Sequence, residues 1–361
     1  MAEVWGRVVA LQANFCAVVP DGAAGDLGAA AAPAAPSAAP AAGAAAHAPD
    51  APGSAGPLAP PAAPQGLPPA PLLCTRRSRL DHAGLQVWVG DRVRLEGIDP
   101  DAGRAAVAAV APRRNLLSRP PVANVARVVV VVSLVEPTLD PLQLSRFLLS
   151  AEACGADVEL VFSKADRVEA ATLAARGEEL LGWGYQALPV SSRSGEGLEA
   201  LARRLASPGP AGEEGGGIAV LCGPSGAGKS SLLNALCPAL ALRVAPVSGR
   251  LRRGRHTTRH VELFPLASGA LLADTPGFNR PELPVDPAAL AGLFPELRSR
   301  LAGDPCRFRN CRHLDDPGCV AGTDWPRHGH YRQWLEELER GASLAPRSRG
   351  EGRLSRRGRA G

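Results

Sequence analysis

The order of three short motifs constrains the fold of this chain more than any other feature. An octapeptide of the form G-x-x-x-x-G-K-S spans 223–230, and the tetrapeptide D-T-P-G follows at 274–277. The tetrapeptide S-K-A-D at 163–166, which has the form of a guanine-recognition motif, precedes both. In an ordinary GTPase the phosphate loop comes first and the guanine motif comes near the end. The order therefore predicts a circularly permuted nucleotide-binding domain.

The distribution of lysine indicates the same sites. Lysine and arginine together number 40, and only Lys164 and Lys229 are lysines. A compact ammonium can lie among phosphate oxygens where the planar fork of a guanidinium does not fit. Because both lysines fall inside nucleotide motifs, chance placement is a weak alternative.

Bulk properties narrow the class of protein. A chain of 361 residues is long enough for two or three domains, and its net charge of +5 favours a polyanionic partner only weakly. The eight cysteines are too scattered for a disulfide framework, and the N-terminus enters a strand-like pattern at once. We therefore expect a cytoplasmic protein without a leader segment. The most apolar run, Val128–Val135, is far too short to span a membrane, so no membrane partner is expected.

The N-terminal part, residues 1–112, has the pattern of a small barrel. Two short strands are expected within 3–20, and further strands at Leu72–Leu80, Leu85–Val89, Asp91–Glu96 and Arg104–Ala111. This number and spacing suit an OB-fold-like RNA-binding barrel, and an SH3-like barrel fits nearly as well. Residues from about 23 to 71 are rich in Ala and Pro with almost no charge, which predicts a disordered insertion in a surface loop.

Residues 113–281 alternate between strand and helix patterns. The β-branched run Val128–Val132 is typical of a buried parallel strand. Later strands end at the S-K-A-D motif, at the serine pair 191–192 and at the octapeptide. This alternation predicts a doubly wound α/β domain, in which ligands bind beyond the carboxyl ends of the strands.

The octapeptide supplies a phosphate site. Its glycines let backbone N–H groups converge on the phosphates, Lys229 reaches the β- and γ-phosphate oxygens, and the Ser230 hydroxyl binds Mg²⁺. The alternative is a glycine turn without a ligand. The predicted nucleotide contacts here are Gly223, Pro224, Ser225, Gly226, Ala227, Gly228, Lys229, Ser230 and Ser231.

The S-K-A-D motif selects the base. The Asp166 carboxylate can accept from both guanine N1–H and the exocyclic amine, a donor pair that adenine lacks. The stem of Lys164 covers the base, next to Ser163. The pair Ser191 and Ser192 stands where GTPases place the backbone that contacts the guanine carbonyl. Together with the phosphate loop, these residues predict binding of GTP and GDP.

Two further segments complete the predicted magnesium and γ-phosphate contacts. Asp274 would hold Mg²⁺ through water, and the Gly277 N–H would sense the γ-phosphate. In the loop 254–260, Thr258, favoured over Thr257, would complete the Mg²⁺ shell. The magnesium set is thus Ser230, Thr258 and Asp274.

Ordinary GTPases often carry a water-orienting Gln after this glycine, and here the residue is Phe278. His256 is the imidazole beside Thr258 that could position the water, and an exposed histidine without a role is the alternative. The same loop is crowded with arginines, which predicts closure onto RNA, with a solvated charge run as the alternative.

The C-terminal part, 282–345, reads as helical, with helices at 286–293 and 330–340 and a metal motif between them. Three thiolates and one imidazole complete a closed tetrahedral site, so one structural Zn²⁺ is expected, against buried free thiols. The basic tail 346–361 is predicted to be disordered or a phosphate-contacting arm. The predicted zinc ligands are Cys306, Cys311, His313 and Cys319.

These features together resemble the small-subunit-dependent GTPases of the ribosome (the RsgA/YjeQ family). The resemblance covers the barrel, the linker 112–125, the permuted domain, the 255–260 loop and the zinc motif. It implies a monomeric GTP hydrolase that acts late in maturation of the small (30S) ribosomal subunit. The subunit and its rRNA would stimulate it near the decoding region, and hydrolysis would release it. Two departures are Ser163, where the family usually has Asn, and the Ala/Pro insertion.

Three other functions remain open from the residues. A permuted GTPase of the large subunit shares the motif order, but neither the leading barrel nor the trailing zinc motif. A nucleotide kinase shares the phosphate-loop letters, but not the guanine motif or D-T-P-G. An RNA-binding scaffold that binds GTP and scarcely hydrolyses it is consistent with Phe278.

Overall fold

The computed structural model describes residues 3–12, 15–21, 71–77, 84–118, 120–207, 217–238, 261–274, 283 and 286–344. The predicted insertion up to residue 70, the 254–260 loop with His256 and Thr258, Gly277, and the basic tail lie outside the described residues. Among the described helices, none is both long enough and apolar enough to cross a membrane.

A closed five-stranded barrel forms the N-terminal domain. Its strands are β1 (Val4–Gln12), β2 (Phe15–Pro20), β3 (Leu72–Arg76), β4 (Arg92–Asp99) and β5 (Arg104–Val110). They pair in the order β1-β2-β3-β5-β4, and β4 closes onto β1. Buried and exposed residues alternate along each strand, so one face fills the barrel with side chains such as Val8, Val18 and Val107. This is the OB-type barrel predicted from the sequence.

One predicted strand of the barrel is wrong. Residues 85–89 form no strand, and an isolated bridge between Val89 and Val122 is the β-contact found there. Val87 and Val89 are buried, which explains the strand-like pattern. Their neighbours instead bond to side chains: the Trp88 N–H donates to Asp91 Oδ2 at 2.7 Å, and the Gln86 carbonyl accepts from Arg113. The predicted strand at 72–80 likewise ends at Arg76.

The central domain is a parallel sheet with one antiparallel edge. After a short hairpin, β6 (Leu116–Ser118) and β7 (Pro121–Ala123), its strands are β8 (Val125–Ser133), β9 (Asp157–Ser163), β10 (Ala187–Pro189), β11 (Ile218–Cys222), β12 (Glu262–Pro265) and β13 (Leu271–Asp274). Their order is β10-β9-β8-β11-β13-β12, with only β12 antiparallel to its neighbour in this domain. All nine residues of β8 are buried, as expected for a central strand covered on both faces.

Helices cover both faces of this sheet, as the alternation predicted. They are α1 (Pro141–Ala153), α2 (Ala170–Gly182), α3 (Leu198–Ala206) and α4 (Lys229–Leu236). One core packs α1 and the end of α2 against β8, β9 and β11, and a second packs α3 and α4 on the opposite face. Asp140 caps α1, since its Oδ1 accepts from the Leu142 N–H at 2.9 Å.

The barrel and the central sheet are physically continuous. Strand β12 pairs with β1 at Glu262 and Ala10, which joins the strands into one eleven-stranded sheet. Beside this junction Gly90 has φ of +90°, and a Cβ there would lie 2.1 Å from the Ala123 carbonyl oxygen. Only glycine fits such an approach. The barrel is joined to the central sheet through β12, the strand that precedes β13 in the chain.

The C-terminal domain packs on α1. Its elements are a 3₁₀ helix (Pro287–Leu293), α5 (Pro295–Leu301) and α6 (His328–Leu344). The first was predicted as an ordinary helix; it is a 3₁₀ helix that stops before Pro295, because a residue preceding proline avoids the α conformation. Helix α5 was not predicted. The core of this domain includes Phe294, Trp325 and Tyr331, together with Leu149 of α1.

Candidate nucleotide and metal sites

The predicted phosphate loop connects β11 to α4. The three glycines Gly223, Gly226 and Gly228 all have positive φ, of 137°, 81° and 90°. A Cβ on Gly223 would lie 2.0 Å from the Val131 carbonyl oxygen, so β8 itself excludes any other residue there. This is the strand–turn–helix arrangement in which backbone N–H groups converge on an anion.

Lys229 lies over the bend of this loop. Its Nζ donates to the carbonyl oxygens of Gly223 at 2.8 Å and Pro224 at 2.7 Å. Ser230 and Ser231 follow in the first turn of α4 and are exposed. Directly before the loop, burial raises the pKa of the Cys222 thiol, which disfavours the thiolate form.

The guanine motif lies at the end of β9. Lys164 adopts the left-handed conformation, with φ of 56°, which begins a short 3₁₀ turn at Ala165–Arg167. Asp166 is exposed, and its Oδ1 accepts from the buried Ser191 hydroxyl at 2.6 Å. The Ser191 oxygen in turn accepts from the backbone N–H groups of Arg193 and Ser194 at 3.2 and 3.1 Å. These bonds hold the carboxylate toward solvent in one orientation, and Ser192 is exposed beside it.

The structure brings the two motifs together. The buried Ser163 hydroxyl lies 3.0 Å from the carbonyl oxygen of Val132 in β8 and 2.5 Å from that of Ala227 in the phosphate loop. A Cβ placed on Gly228 would lie 3.9 Å from Lys164 Cε. A hydroxyl has one proton, so Ser163 donates to one carbonyl at a time, whereas an amide NH₂ has a donor for each.

The remaining predicted residues fall at the same edge or outside the described residues. Strand β13 runs parallel to β11, with Ala273 beside Val220, so Asp274 ends its strand next to the start of the phosphate loop. Thr258, His256 and Gly277 are not among the described residues. Of the three predicted magnesium ligands, the structure thus describes the side chain of Ser230 and the backbone of Asp274.

Cys306, Cys311, His313 and Cys319 converge, with all four ligand atoms within 4.8 Å of one another. His313 Nδ1 lies 3.6 Å from both Cys306 Sγ and Cys319 Sγ, and those two sulfurs are 4.0 Å apart. Bonds of about 2.0–2.3 Å in a tetrahedron separate ligands by roughly 3.5–3.8 Å. The four residues therefore fit a zinc ion.

Asp316 organises the loop that carries these ligands. Its Oδ2 accepts from the backbone N–H groups of Arg312 at 3.0 Å and Leu314 at 3.3 Å, and from Cys311 Sγ at 3.6 Å. The bond from the Leu314 N–H, ahead of the others, lowers the pKa of this carboxyl. The loop is tied to α6 because the Tyr331 hydroxyl donates to the Arg312 carbonyl at 2.8 Å.

Burial shifts the pKa of two residues of this cluster in opposite directions. Burial raises the pKa of the Cys311 thiol to about 12, so binding a metal must displace its proton. Burial lowers the pKa of His313, which keeps the imidazole in the neutral form that coordinates metals.

Sequence reasoning missed a buried arginine that joins two domains. Arg327 is fully buried and pairs with Glu296 through two bonds of 2.6 Å. Its guanidinium carbon lies 4.7 Å from the ring of Phe294 and 5.0 Å from that of Trp183, which belongs to the central domain. Nothing in the local sequence distinguishes Arg327 from the exposed arginines, since its burial depends on partners distant in the chain.

Comparison with known proteins identifies the family. Residues 110–284 match the RsgA GTPase family. The small ribosomal subunit biogenesis GTPase RsgA of Synechococcus sp. (strain CC9605) is 57% identical over 282 residues, which are 78% of this chain and 89% of that protein. This chain belongs to the RsgA GTPase family. The RsgA protein of Trichormus variabilis (strain ATCC 29413 / PCC 7937) is 48% identical over 266 residues, covering 74% of this chain and 70% of that protein.

Solved structures with the RsgA-family fold agree with the architecture. YjeQ from Thermotoga maritima superposes with a TM-score of 0.65 at 24% identity, covering 94% of this chain and 99% of that one. YloQ, described as a circularly permuted GTPase, also gives 0.65 at 24% identity, covering 94% and 96%. At this identity the likeness establishes the fold, and it confirms the permutation that the motif order predicted.

Proposed function

We propose that this RsgA-family protein is a cytoplasmic, monomeric GTP hydrolase in the biogenesis of the small ribosomal subunit, stimulated by the subunit and its rRNA and released on hydrolysis. The observation that carries the proposal is the contact between guanine motif and phosphate loop through Ser163. It makes a composite site for a guanine nucleotide in a chain 57% identical to a small ribosomal subunit biogenesis GTPase.

The phosphate loop would hold the nucleotide with Mg²⁺. The N–H groups of 223–230 bind the phosphates, and Lys229 exchanges its two loop carbonyls for β- and γ-phosphate oxygens. Ser230, Thr258 and Asp274 hold the Mg²⁺, which neutralises charge that develops on the transferred phosphoryl group. Gly277 contacts the γ-phosphate.

Base selection would rest on Asp166. Its exposed carboxylate is oriented by Ser191 and accepts from the two donors of guanine, while Ser192 contributes backbone to the guanine carbonyl. Lys164 covers the base, and its Nζ donates a hydrogen bond to the Glu136 carbonyl oxygen.

Hydrolysis would be slow in the free protein. Phe278 cannot orient an attacking water, so the 254–260 loop must supply that function through His256. We propose that small subunits order this arginine-rich loop and so complete the site.

One structural zinc would hold the loop of Cys306, Cys311, His313 and Cys319. Bound zinc supplies a closed tetrahedral cross-link and no catalytic position. The loop's arginines and the barrel would contact rRNA, and Arg327 holds this domain against the central one.

Single-turnover GTP hydrolysis with purified small subunits, large subunits or neither, at low salt, tests the proposal. We expect strong stimulation by small subunits, weak stimulation by large ones, and co-sedimentation only with a GTP analogue. Lys229→Ala serves as the unreactive control, and His256→Ala should impair stimulated turnover more than GTP binding. Equal rates with and without small subunits would contradict the proposal and favour a slow RNA-binding scaffold.

A further inference from the structure

The loop 134–140 contacts both nucleotide motifs, although it belongs to neither of them. It follows β8 and leads into α1. At its start the Val135 N–H donates to Ser133 Oγ at 3.2 Å, and at its end Asp140 caps α1. Between them the Thr138 hydroxyl donates to the Val135 carbonyl at 3.3 Å. The loop is therefore fixed to a fully buried strand at one end and to a helix of the core at the other.

One residue of this loop, Glu136, contacts the guanine motif. Its carbonyl oxygen accepts a hydrogen bond from Lys164 Nζ. The Lys164 side chain passes the phosphate loop on the way, since a Cβ placed on Gly228 would lie 3.9 Å from Lys164 Cε. The Glu136 carboxylate lies 3.6 Å from Arg167, but these side chains are 81% and 48% exposed, so their ion pair contributes little. The backbone carbonyl of Glu136, rather than its carboxylate, is therefore the group that holds the motif.

The next residue, Pro137, contacts the phosphate loop. A Cβ placed on Gly226, which has φ of +81°, would lie 3.4 Å from Pro137 Cδ, so the proline ring packs beside this glycine. Glu136 and Pro137 are consecutive, yet each contacts a different nucleotide motif. A shift of the loop must therefore move the Glu136 carbonyl away from Lys164 and the proline ring away from Gly226 together.

The hydrogen bond to Glu136 restricts the conformation of Lys164. Lysine carries its ammonium on a flexible four-carbon stem, so a free Lys164 would lose many conformations when a base binds. With Nζ bonded to the Glu136 carbonyl and Cε beside Gly228, the stem already extends across the gap between the motifs. A group that is held in its bound conformation before the ligand arrives loses less freedom on binding, which makes the complex tighter. An ammonium that acted directly on the phosphates would not need this carbonyl.

We propose that Glu136 and Pro137 are positioning residues for the guanine base. The Glu136 carbonyl holds the Lys164 stem where it covers the base, and the Pro137 ring keeps the phosphate loop beside that stem. The inference rests on the proposed function only in that this site binds a guanine nucleotide. It assigns the positioning of the base to a segment outside all three nucleotide motifs of the sequence.

The test measures the rate at which the full chain releases a fluorescent GDP analogue. Lys164→Met keeps an unbranched apolar stem and loses the ammonium, so release should be about tenfold faster, the factor expected for a lost bond to a charged group. Pro137→Gly should also speed release, because the loop that presents the Glu136 carbonyl loses its contact with Gly226. The double variant should release GDP no faster than Lys164→Met alone, since both substitutions remove the same contact. Arg167→Met is the matched control: it removes only the exposed ion pair and should keep the wild-type rate.

Chemical denaturation of the same variants distinguishes positioning from a general loss of structure. We expect the free energy of unfolding of Lys164→Met to equal that of the wild type while its release rate rises. A wild-type release rate in Pro137→Gly would overturn the inference. Effects of the two substitutions that multiply in the double variant would also overturn it, and would indicate that Lys164 acts directly on the nucleotide.

The proposed function can fail separately. If the variants release GDP as expected while small subunits leave wild-type hydrolysis unchanged, the proposed function is wrong and this inference stands. If small subunits stimulate hydrolysis while Lys164→Met and Pro137→Gly both release GDP at the wild-type rate, the function stands and this inference is wrong. A wild-type chain that binds no GDP would contradict both.

Discussion

The nucleotide corner is the edge of the central sheet where residues 163–166, 191–192 and 223–230 meet, so it draws on separate segments of the chain. The zinc loop, in contrast, is a single segment. At the corner, β8, β9 and β11 are buried in parallel register, and the loops that follow them must meet at one edge. The zinc loop, 306–319, contains no helix or strand among its described residues. Hydrogen bonds of its backbone to the Asp316 carboxylate and the Tyr331 hydroxyl hold it in the shape that brings the four side chains together.

This difference indicates which interactions make each site rigid. The corner derives its shape from a hydrophobic core that exists without nucleotide, so single changes there should alter binding more than folding. The zinc loop has little core of its own, so a change to a ligand should alter folding first. The predictions below run from the largest expected effect to the smallest.

Cys311→Ala should have the largest effect. Structural zinc supplies on the order of 10 kcal/mol to a small domain, so its loss should make residues 282–345 protease-sensitive while GTP still binds. Zinc content and limited proteolysis measure this. Cys154→Ala, a buried cysteine outside the cluster, is the control and should keep one zinc per chain. If native protein contains no zinc, the proposal of a structural zinc site is wrong.

Arg327→Met should destabilise the C-terminal domain, and weaken its contact with Trp183 of the central domain, without releasing zinc. The substitution leaves the Glu296 carboxylate buried without its partner. Breaking such a pair lowers the free energy of unfolding by about 3–5 kcal/mol. Chemical denaturation and zinc content measure the two effects. The double variant with Glu296→Leu should recover much of the loss, because no buried charge is left. A single variant as stable as wild type would show that the buried pair does not stabilise the C-terminal domain.

Asp166→Asn should weaken GTP binding about 10- to 100-fold, since bonds to a charged group contribute about 1.5–3 kcal/mol. Binding of xanthosine nucleotides should improve, because the amide offers one donor where the carboxylate offered only acceptors. Ser191→Ala, which removes only the orienting bond, should cost less. Titrations with GTP and xanthosine triphosphate decide this, and unchanged GTP affinity would remove Asp166 from the base site.

Ser163→Ala should have the smallest effect, about 1 kcal/mol in unfolding free energy and a faster release of GDP. The variant leaves the Val132 and Ala227 carbonyls without their shared donor. Ser163→Asn should slow GDP release below the wild-type rate, because its NH₂ serves both carbonyls. Release rates from stopped-flow fluorescence compare the three proteins. Equal rates would mean that the corner does not depend on this contact.

Much of the molecule was predictable from short stretches of sequence. The octapeptide 223–230 forms a turn between a strand and a helix, the S-K-A-D motif follows a strand, and the predicted Cys and His ligands converge, because each arrangement depends on residues within about a dozen positions. Their roles in binding nucleotide and zinc stay predictions. The failures were local patterns that tertiary contacts overrode. Val87 and Val89 alternate like a strand, yet Asp91 and Arg113 take up the hydrogen-bonding groups of their neighbours, so no strand forms.

By itself, the sequence determined the permuted order, the barrel-type strands, the α/β alternation and the spacing of the cysteine and histidine cluster, since spacing and residue chemistry suffice for these. Only the tertiary structure decided that Ser163 reaches the phosphate loop, that β12 joins the barrel through Ala10, and that Arg327 is buried among aromatic rings. These are contacts between residues far apart in the chain. Which distant groups meet is set by how the sheets and helices pack, and no local pattern encodes that.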